Sequence, residues 1–212
     1  MKIFSALPVL LVAGIFLGGQ AMAIESPDYT VVYETDDVEY RQYEAYLVAE
    51  TVVVGDVAYK ASGNEGFRRL FRYITGANTA NQSIAMTSPV SREVTSEKIA
   101  MTSPVARRQV GAGEAVAFML PTEYTLATAP QPSDNRVTLR EVPARLMAVV
   151  RYSGRWTDAN YMKRKNILLT ALAATDTETL GEAQSALYDA PYIPPFLRRN
   201  EVMIEVRDLP TQ

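Results

Sequence analysis

The sequence predicts an α+β fold made of two similar β-β-α-β-β halves, whose strands form one curved sheet with a helix from each half packed against it. Three observations predict it. Strand-like and helix-like patterning runs through once and begins again near residue 137. An apolar stripe at helical spacing occurs once in each half. Arg41, Ala45, Leu47 and Ala49 recur without gaps as Arg140, Ala144, Leu146 and Ala148, at a constant offset of 99 residues.

Residues 29–54 are rich in Val, Tyr and Thr with partial alternation, which predicts two strands around a turn near Asp36 and Asp37. Gly63 and Asn64 punctuate the chain before a helix over residues 65–74. There Phe67, Leu70, Phe71 and Ile74 fall at i, i+3, i+4 and i+7, Arg68, Arg69 and Arg72 fill the remaining surface, and Gly76 ends the helix. Residues 84–90 and 99–105 read as short strands whose methionines pack inward, joined by the polar stretch 91–98. Residues 115–120 form a buried apolar strand stopped by Pro121, and residues 127–135, with Pro130 and Pro132, form a loop. The second half repeats the strand pair over 137–152 and the helix over 156–174, with Asp158 as the capping candidate, Tyr161, Leu168 and Leu172 on one face, and Trp156 as a core anchor. Residues 188–196, with Pro191, Pro194 and Pro195, form a stiff aromatic loop before a last strand over 201–206.

The first 23 residues have the layout of a secretory signal peptide. Lys2 is a short basic region, residues 3–17 are apolar, and Ala21-Met22-Ala23 is a small-x-small cleavage site. A single domain over 24–212 is expected after cleavage, exported to the periplasm, with no stable membrane anchor. Removing Lys2 from 21 basic residues leaves 20 against 24 acidic ones, a net charge of −4. That balance offers no electrostatic footprint for nucleic acid. The chain holds no His and no Cys. Disulfides, imidazole or thiolate metal sites, Cys-His pairs and Ser-His-Asp triads are therefore excluded.

One feature points past fold class to a family. Ile84-Ala85-Met86-Thr87-Ser88-Pro89-Val90 recurs residue for residue as Ile99-Ala100-Met101-Thr102-Ser103-Pro104-Val105. Together with the opening strand pair from Tyr33 to Tyr46, these Met-Thr-x-Pro-Val signatures stand in order with Arg72-Tyr73-Ile74-Thr75-Gly76-Ala77-Asn78, Phe118-Met119-Leu120-Pro121, Pro132-Ser133-Asp134, Tyr188-Asp189-Ala190-Pro191 and Arg198-Arg199-Asn200-Glu201. In this the sequence resembles a bacterial, exported member of the SOUL, or haem-binding protein, family. The resemblance implies a distorted β-barrel flanked by two helices, similar to bacterial effector-binding domains. It also implies non-covalent binding of haem or another tetrapyrrole, as carrier, scavenger or buffer, rather than catalysis.

The resemblance further implies that the tetrapyrrole lies against the first helix and the loop before the final strand, which map to Phe67, Leu70, Phe71 and Ile74 and to Tyr192, Ile193 and Phe196. Such a ligand needs an apolar platform with cations at its rim, and Arg68 and Arg72, beside Arg69, are the candidates for its propionates. The same stripe is equally the face that a helix buries on its sheet, and the arginines equally a solvated surface. With His absent, iron would take a Tyr ligand, Tyr192 first, or no protein ligand at all. Two other readings share the fold: a binder of other bulky apolar or cationic molecules in the same groove, and a small-molecule hydrolase marked by a pocket Glu of raised pKa.

Overall fold

The computed structural model describes residues 24–55, 59–80 and 95–210, so the segment 1–23 and the first heptapeptide, 84–90, lie outside the described residues. Eleven strands and two α-helices are defined among the described residues. The first half holds β1 (Tyr29–Glu34), β2 (Glu39–Tyr43), β3 (Tyr46–Val54), α1 (Tyr59–Ile74), the two-residue β4 (Asn78–Thr79), β5 (Val105–Val110) and β6 (Gly113–Met119). The second holds β7 (Gln131–Pro132), β8 (Val137–Val142), β9 (Arg145–Tyr152), α2 (Asp158–Ala174), β10 (Thr179–Leu187) and β11 (Asn200–Val206).

Nine strands form one antiparallel sheet in the order β1-β2-β9-β11-β10-β5-β6-β3-β8, curled into a half-barrel, while β4 and β7 pair separately. Read from either end, β2-β9-β11-β10 and β8-β3-β6-β5 are the same arrangement, meeting where Ala186 of β10 faces Ala106 of β5. The predicted pseudo-repeat is thus present, with one difference in pairing. The strands β2 and β3 are consecutive but do not pair with each other; β2 joins β9 and β3 joins β8. Each half therefore lends a strand to the other, which ties the halves into one sheet.

Side chains alternate across each strand, so every strand feeds two environments. Leu47 and Ala49 of β3, Val116 and Phe118 of β6 and Val137 of β8 pack under α1 with Leu70, Tyr73 and Ile74. Ala148, Val150 and Tyr152 of β9 and Val202, Ile204 and Val206 of β11 pack under α2 with Leu168 and Leu172. The alternate residues, among them Val48, Ala117 and Val142 on the β8-β3-β6-β5 side and Tyr43, Met147, Val149 and Met203 on the β2-β9-β11-β10 side, line the concave face.

Several boundaries differ from the sequence reading. The opening segment makes three strands, because the chain turns again at 44–45 as it does at 143–144. The first helix begins at Tyr59, so Gly63 and Asn64 lie inside it. A Cβ on Gly63 would sit 2.7 Å from Arg107 Cζ, and one on Gly66 would sit 2.4 Å from Val116 Cγ2. Each glycine costs about 1 kcal/mol in helix propensity; at Gly66 only a missing side chain lets α1 lie this close to β6, while at Gly63 the space is taken by the end of the Arg107 side chain. The second helix is capped by Thr157, whose side chain accepts the Asn160 N–H, rather than by Asp158. Residues 99–104 are not a strand; only Val105 of the second heptapeptide enters the sheet.

Candidate functional site

The apolar stripe of α1 divides into two rows. Leu70 and Ile74, one turn apart, are 0% and 4% exposed and belong to the core beneath the helix. They do not reach a surface site, which corrects the assignment of these two residues as ligand contacts: at 100° per residue their row points at the sheet. Phe67 and Phe71 form the neighbouring row along the helix flank. Their rings stack with centroids 5.8 Å apart and 12° between planes, and Phe67 meets Phe118 edge-on at 5.2 Å. Phe67 is half-buried and Phe71 is exposed.

Beside this aromatic flank lies a mainly apolar cleft of about 450 Å³, between Gly63, Asn64 and Phe67 of α1, residues 101–105, Trp156, and residues 187–192. It brings Phe67 and Tyr192 to one site. Arg68 stands one turn from Asn64 with its side chain 67% exposed, held loosely by the Asn64 carbonyl at 3.3 Å and by Glu65 at 4.0 Å. Arg72 lines a different depression with Arg69, Tyr73, Asp134 and Arg136. Ile193 is half-buried and Phe196 exposed, and neither lines the cleft.

The second heptapeptide explains its own composition. Ile99 is buried under α1 and donates its N–H to the Ile74 carbonyl at 2.8 Å. Thr102 is buried and donates its hydroxyl to the Met119 carbonyl at 2.6 Å, and the Ser103 N–H reaches the Glu25 carbonyl at 2.8 Å. Pinned on both sides, the segment turns Met101 outward into the cleft, where a flexible thioether makes an adaptable apolar contact. The inward methionine expected from a strand is corrected here, because no sheet pairing fixes alternation across 99–104. Trp156 is likewise not enclosed in the core. It is half-buried on the cleft wall with Nε1 donating to Asn200 Oδ1 at 2.7 Å.

The loop side of the cleft is held by two arginines. Arg198 donates to the carbonyls of Ile193 at 2.7 Å and Pro191 at 2.6 Å, and its guanidinium stacks 4.4 Å above the Trp156 ring. Arg199 lies 3.9 Å above the Tyr188 ring and pairs with Glu201 at 2.8 Å. The Tyr188 hydroxyl donates to Glu201 at 2.9 Å, and burial, with the Glu201 charge adding to it, pushes that phenol far above its usual range. Tyr188 is thereby fixed as a protonated donor. Tyr192, by contrast, is 85% exposed at the cleft edge.

The concave face carries three of the buried charges, Arg41, Glu50 and Glu201. Arg41 contacts Glu201 at 2.9 Å and Glu39 at 2.7 Å, and also hydrogen-bonds Tyr43. Glu50 contacts Arg108 at 3.0 Å and Arg140 at 2.9 Å. Burial pushes the Glu50 carboxyl up, but the hydrogen bond from Arg140 and the Arg108 charge together outweigh it and hold it below its ordinary value. This is opposite to the raised Glu that the hydrolase reading requires. Among the described residues no cluster of three or more carboxylates is arranged to hold a metal ion.

A curled sheet flanked by two helices, with a cleft beside one of them, defines an α+β half-barrel architecture. The sequence profile described as "SOUL heme-binding protein" matches residues 24–205, and the chain belongs to that family. Heme-binding protein 1 of Xenopus laevis is 27% identical over 165 residues, covering 77% of this chain and 80% of the relative. Heme-binding protein 1 of Mus musculus is 26% identical over 155 residues, covering 73% and 76%. Among solved structures, the EcmrR C-terminal domain aligns over 85% of this chain and 99% of its own with a TM-score of 0.57 and 8% identity. A hydrolase from Listeria innocua aligns over 83% and 94% with a TM-score of 0.50 and 7% identity. At such identities these two likenesses concern the fold alone.

Proposed function

We propose that the chain binds haem or a related tetrapyrrole non-covalently in the cleft between α1 and residues 187–192, and that it does so after export and removal of residues 1–23. The observation that carries this reading is the cleft itself. Its volume lies within the range of small-molecule sites, its walls are aromatic and apolar, and it joins the helix flank to the loop that precedes the last strand. The family membership and the two named relatives support the same ligand class.

The residues fit a tetrapyrrole in outline. Phe67, Met101, Trp156 and Tyr192 supply apolar and aromatic surface, and Arg68, one turn from the cleft residue Asn64 with its side chain exposed, is the candidate guanidinium for a propionate. Iron would find the Tyr192 oxygen or no protein ligand, since the chain offers neither imidazole nor thiolate. Binding resting mainly on apolar contact and one rim charge discriminates little between haem and metal-free porphyrin.

A visible-absorption titration of residues 24–212 with ferric haem and, in parallel, protoporphyrin tests this. Saturable binding of both with affinities within about tenfold is expected, as the apolar contacts are common to both ligands. Met101→Asp combined with Tyr192→Ala alters two exposed side chains, leaves the fold intact, and weakens both affinities by at least about tenfold. An unchanged titration would move the site elsewhere. No saturable change with either ligand would remove the tetrapyrrole and send the search to cationic dyes.

A further inference from the structure

The segment from Pro191 to Leu197 is built to hold apolar side chains in water. Tyr192 is 85% exposed, Phe196 74% and Leu197 65%. Pro191, Pro194 and Pro195 fix their own backbone φ angles, the last of them opening the single turn Pro195–Leu197. The Arg198 clasp on the Pro191 and Ile193 carbonyls, with its stacking on Trp156, ties the base of the loop to the start of α2. A mobile loop would fold its apolar side chains away from water, whereas this one is prevented from doing so. An apolar cluster displayed by a stiffened loop marks a contact surface.

The charge at its base indicates what is contacted. Arg199 is neutralised by Glu201, but neither Arg198 nor the exposed Arg155 forms an ion pair among the described residues. In a protein with more acidic than basic residues, two arginines without an ion pair among the described residues thus stand at the base of this loop, Arg198 through its carbonyl bonds and Arg155 next to Gly154, whose N–H reaches the Pro195 carbonyl. Aromatic rings with one polar edge, aliphatic tips and a cationic base match the interface of an anionic lipid bilayer, where rings sit at headgroup depth and cations meet lipid phosphates.

We infer that the Pro191–Leu197 loop is a reversible docking element for an anionic membrane surface, with Tyr192, Phe196 and Leu197 entering the interface and Arg155 and Arg198 meeting the headgroups. Among the described residues no helix is long and apolar enough to cross a membrane. Tyr192 also lines the cleft, so docking places the cleft mouth against the lipid. This assignment is independent of which ligand the cleft holds.

The test is co-sedimentation of residues 24–212, which contain both cores, with vesicles of phosphatidylethanolamine and phosphatidylglycerol and with vesicles of phosphatidylcholine. The protein is expected to partition onto the anionic vesicles and to be released by salt. Tyr192→Ser, Phe196→Ser and Leu197→Ser together should reduce partitioning at least about tenfold without moving the unfolding midpoint, because all three side chains are exposed. Arg155→Gln should reduce it about fivefold on anionic vesicles and leave the neutral ones unchanged. Trp156, the single tryptophan, lies beneath Arg198 and should be quenched by brominated lipid in the wild type and not in the triple variant. A wild type that stays in the supernatant, or a folded triple variant that partitions equally, overturns the inference. So does a concentration-dependent dimer abolished by the triple substitution with no vesicle binding, since a second copy would then be the occupant.

Discussion

Arg41 and Arg140 occupy equivalent places in the two halves, each reaching from the outer strand of its own half to a carboxylate of the other, yet their surroundings differ. The Arg41 side chain is 1% exposed and its partner Glu201 0%, whereas the Arg140 side chain is 42% exposed and its partner Glu50 10%. The cause is what lies above them. β1, which has no counterpart in the second half of the repeat, brings the Tyr29 ring within 4.5 Å of the Arg41 guanidinium, and the 188–199 loop adds Tyr188 and Arg199. Among the described residues nothing equivalent covers Glu50, which lines a small recess with Pro27, Tyr46 and Ala106. One repeated arginine has become part of a sealed charge network and the other has remained a half-solvated pair. Repeat-related identity therefore does not imply equal energetic weight.

Removing the acid of the sealed network should give the largest effect. Glu201→Ala leaves Arg41 and Arg199 without their shared carboxylate, and a loss of about 3–5 kcal/mol in unfolding free energy is expected by urea denaturation. A loss under 1 kcal/mol would mean that water enters the network and that the two halves are not so different. Tyr188→Phe keeps the ring under Arg199 and deletes only the hydroxyl that donates to Glu201. A loss of about 1.5–3 kcal/mol, the range for hydrogen bonds to charged groups, is expected by the same measurement.

The smallest effect should come from the open pair. Arg140→Ala is expected to cost at most about 1 kcal/mol at neutral pH, because solvent screens the guanidinium and Arg108 remains on Glu50. Its pH dependence has a definite sign. The folded-state pKa of Glu50 is depressed, so its contribution is present above the unfolded value and is lost as pH falls through the folded one. The stability gap between wild type and Arg140→Ala should therefore close in acid. A gap that widens instead would show that Glu50 is not the partner that matters.

Much of the repeat was legible because it is written in local terms. The Phe67-Leu70-Phe71-Ile74 spacing forces a helix, the Leu47/Ala49 and Leu146/Ala148 alternations force strands with one face inward, and the constant offset relates the two halves. The β10 strand was not legible. Its sequence, with Gly181 and Glu182 early and Gln184 and Ser185 in the buried part, carries no apolar alternation. It is a strand because β5 and β11 flank it and satisfy its backbone. The candidate cleft was half legible. Phe67 and Tyr192 meet in the cleft, but Leu70 and Ile74 do not, since spacing gives an apolar stripe without saying which row meets the sheet. Met101 and Trp156 were misplaced for a related reason, as a side chain on an unpaired segment or a helix N-terminus has no period from which to read its direction.

By itself the sequence determined the types of most elements, the two-fold repeat, the exclusion of imidazole and thiolate chemistry, and the family. These depend on residue identity and short-range spacing, which act within a few residues of the chain. Only the tertiary structure decided that β2 and β3 part to join opposite halves, that one repeated arginine is sealed and the other open, and that α1, residues 101–105 and residues 187–192 enclose a common cleft. Each of these depends on contacts between segments far apart in sequence, where burial and pairing are set by whatever the rest of the chain brings alongside.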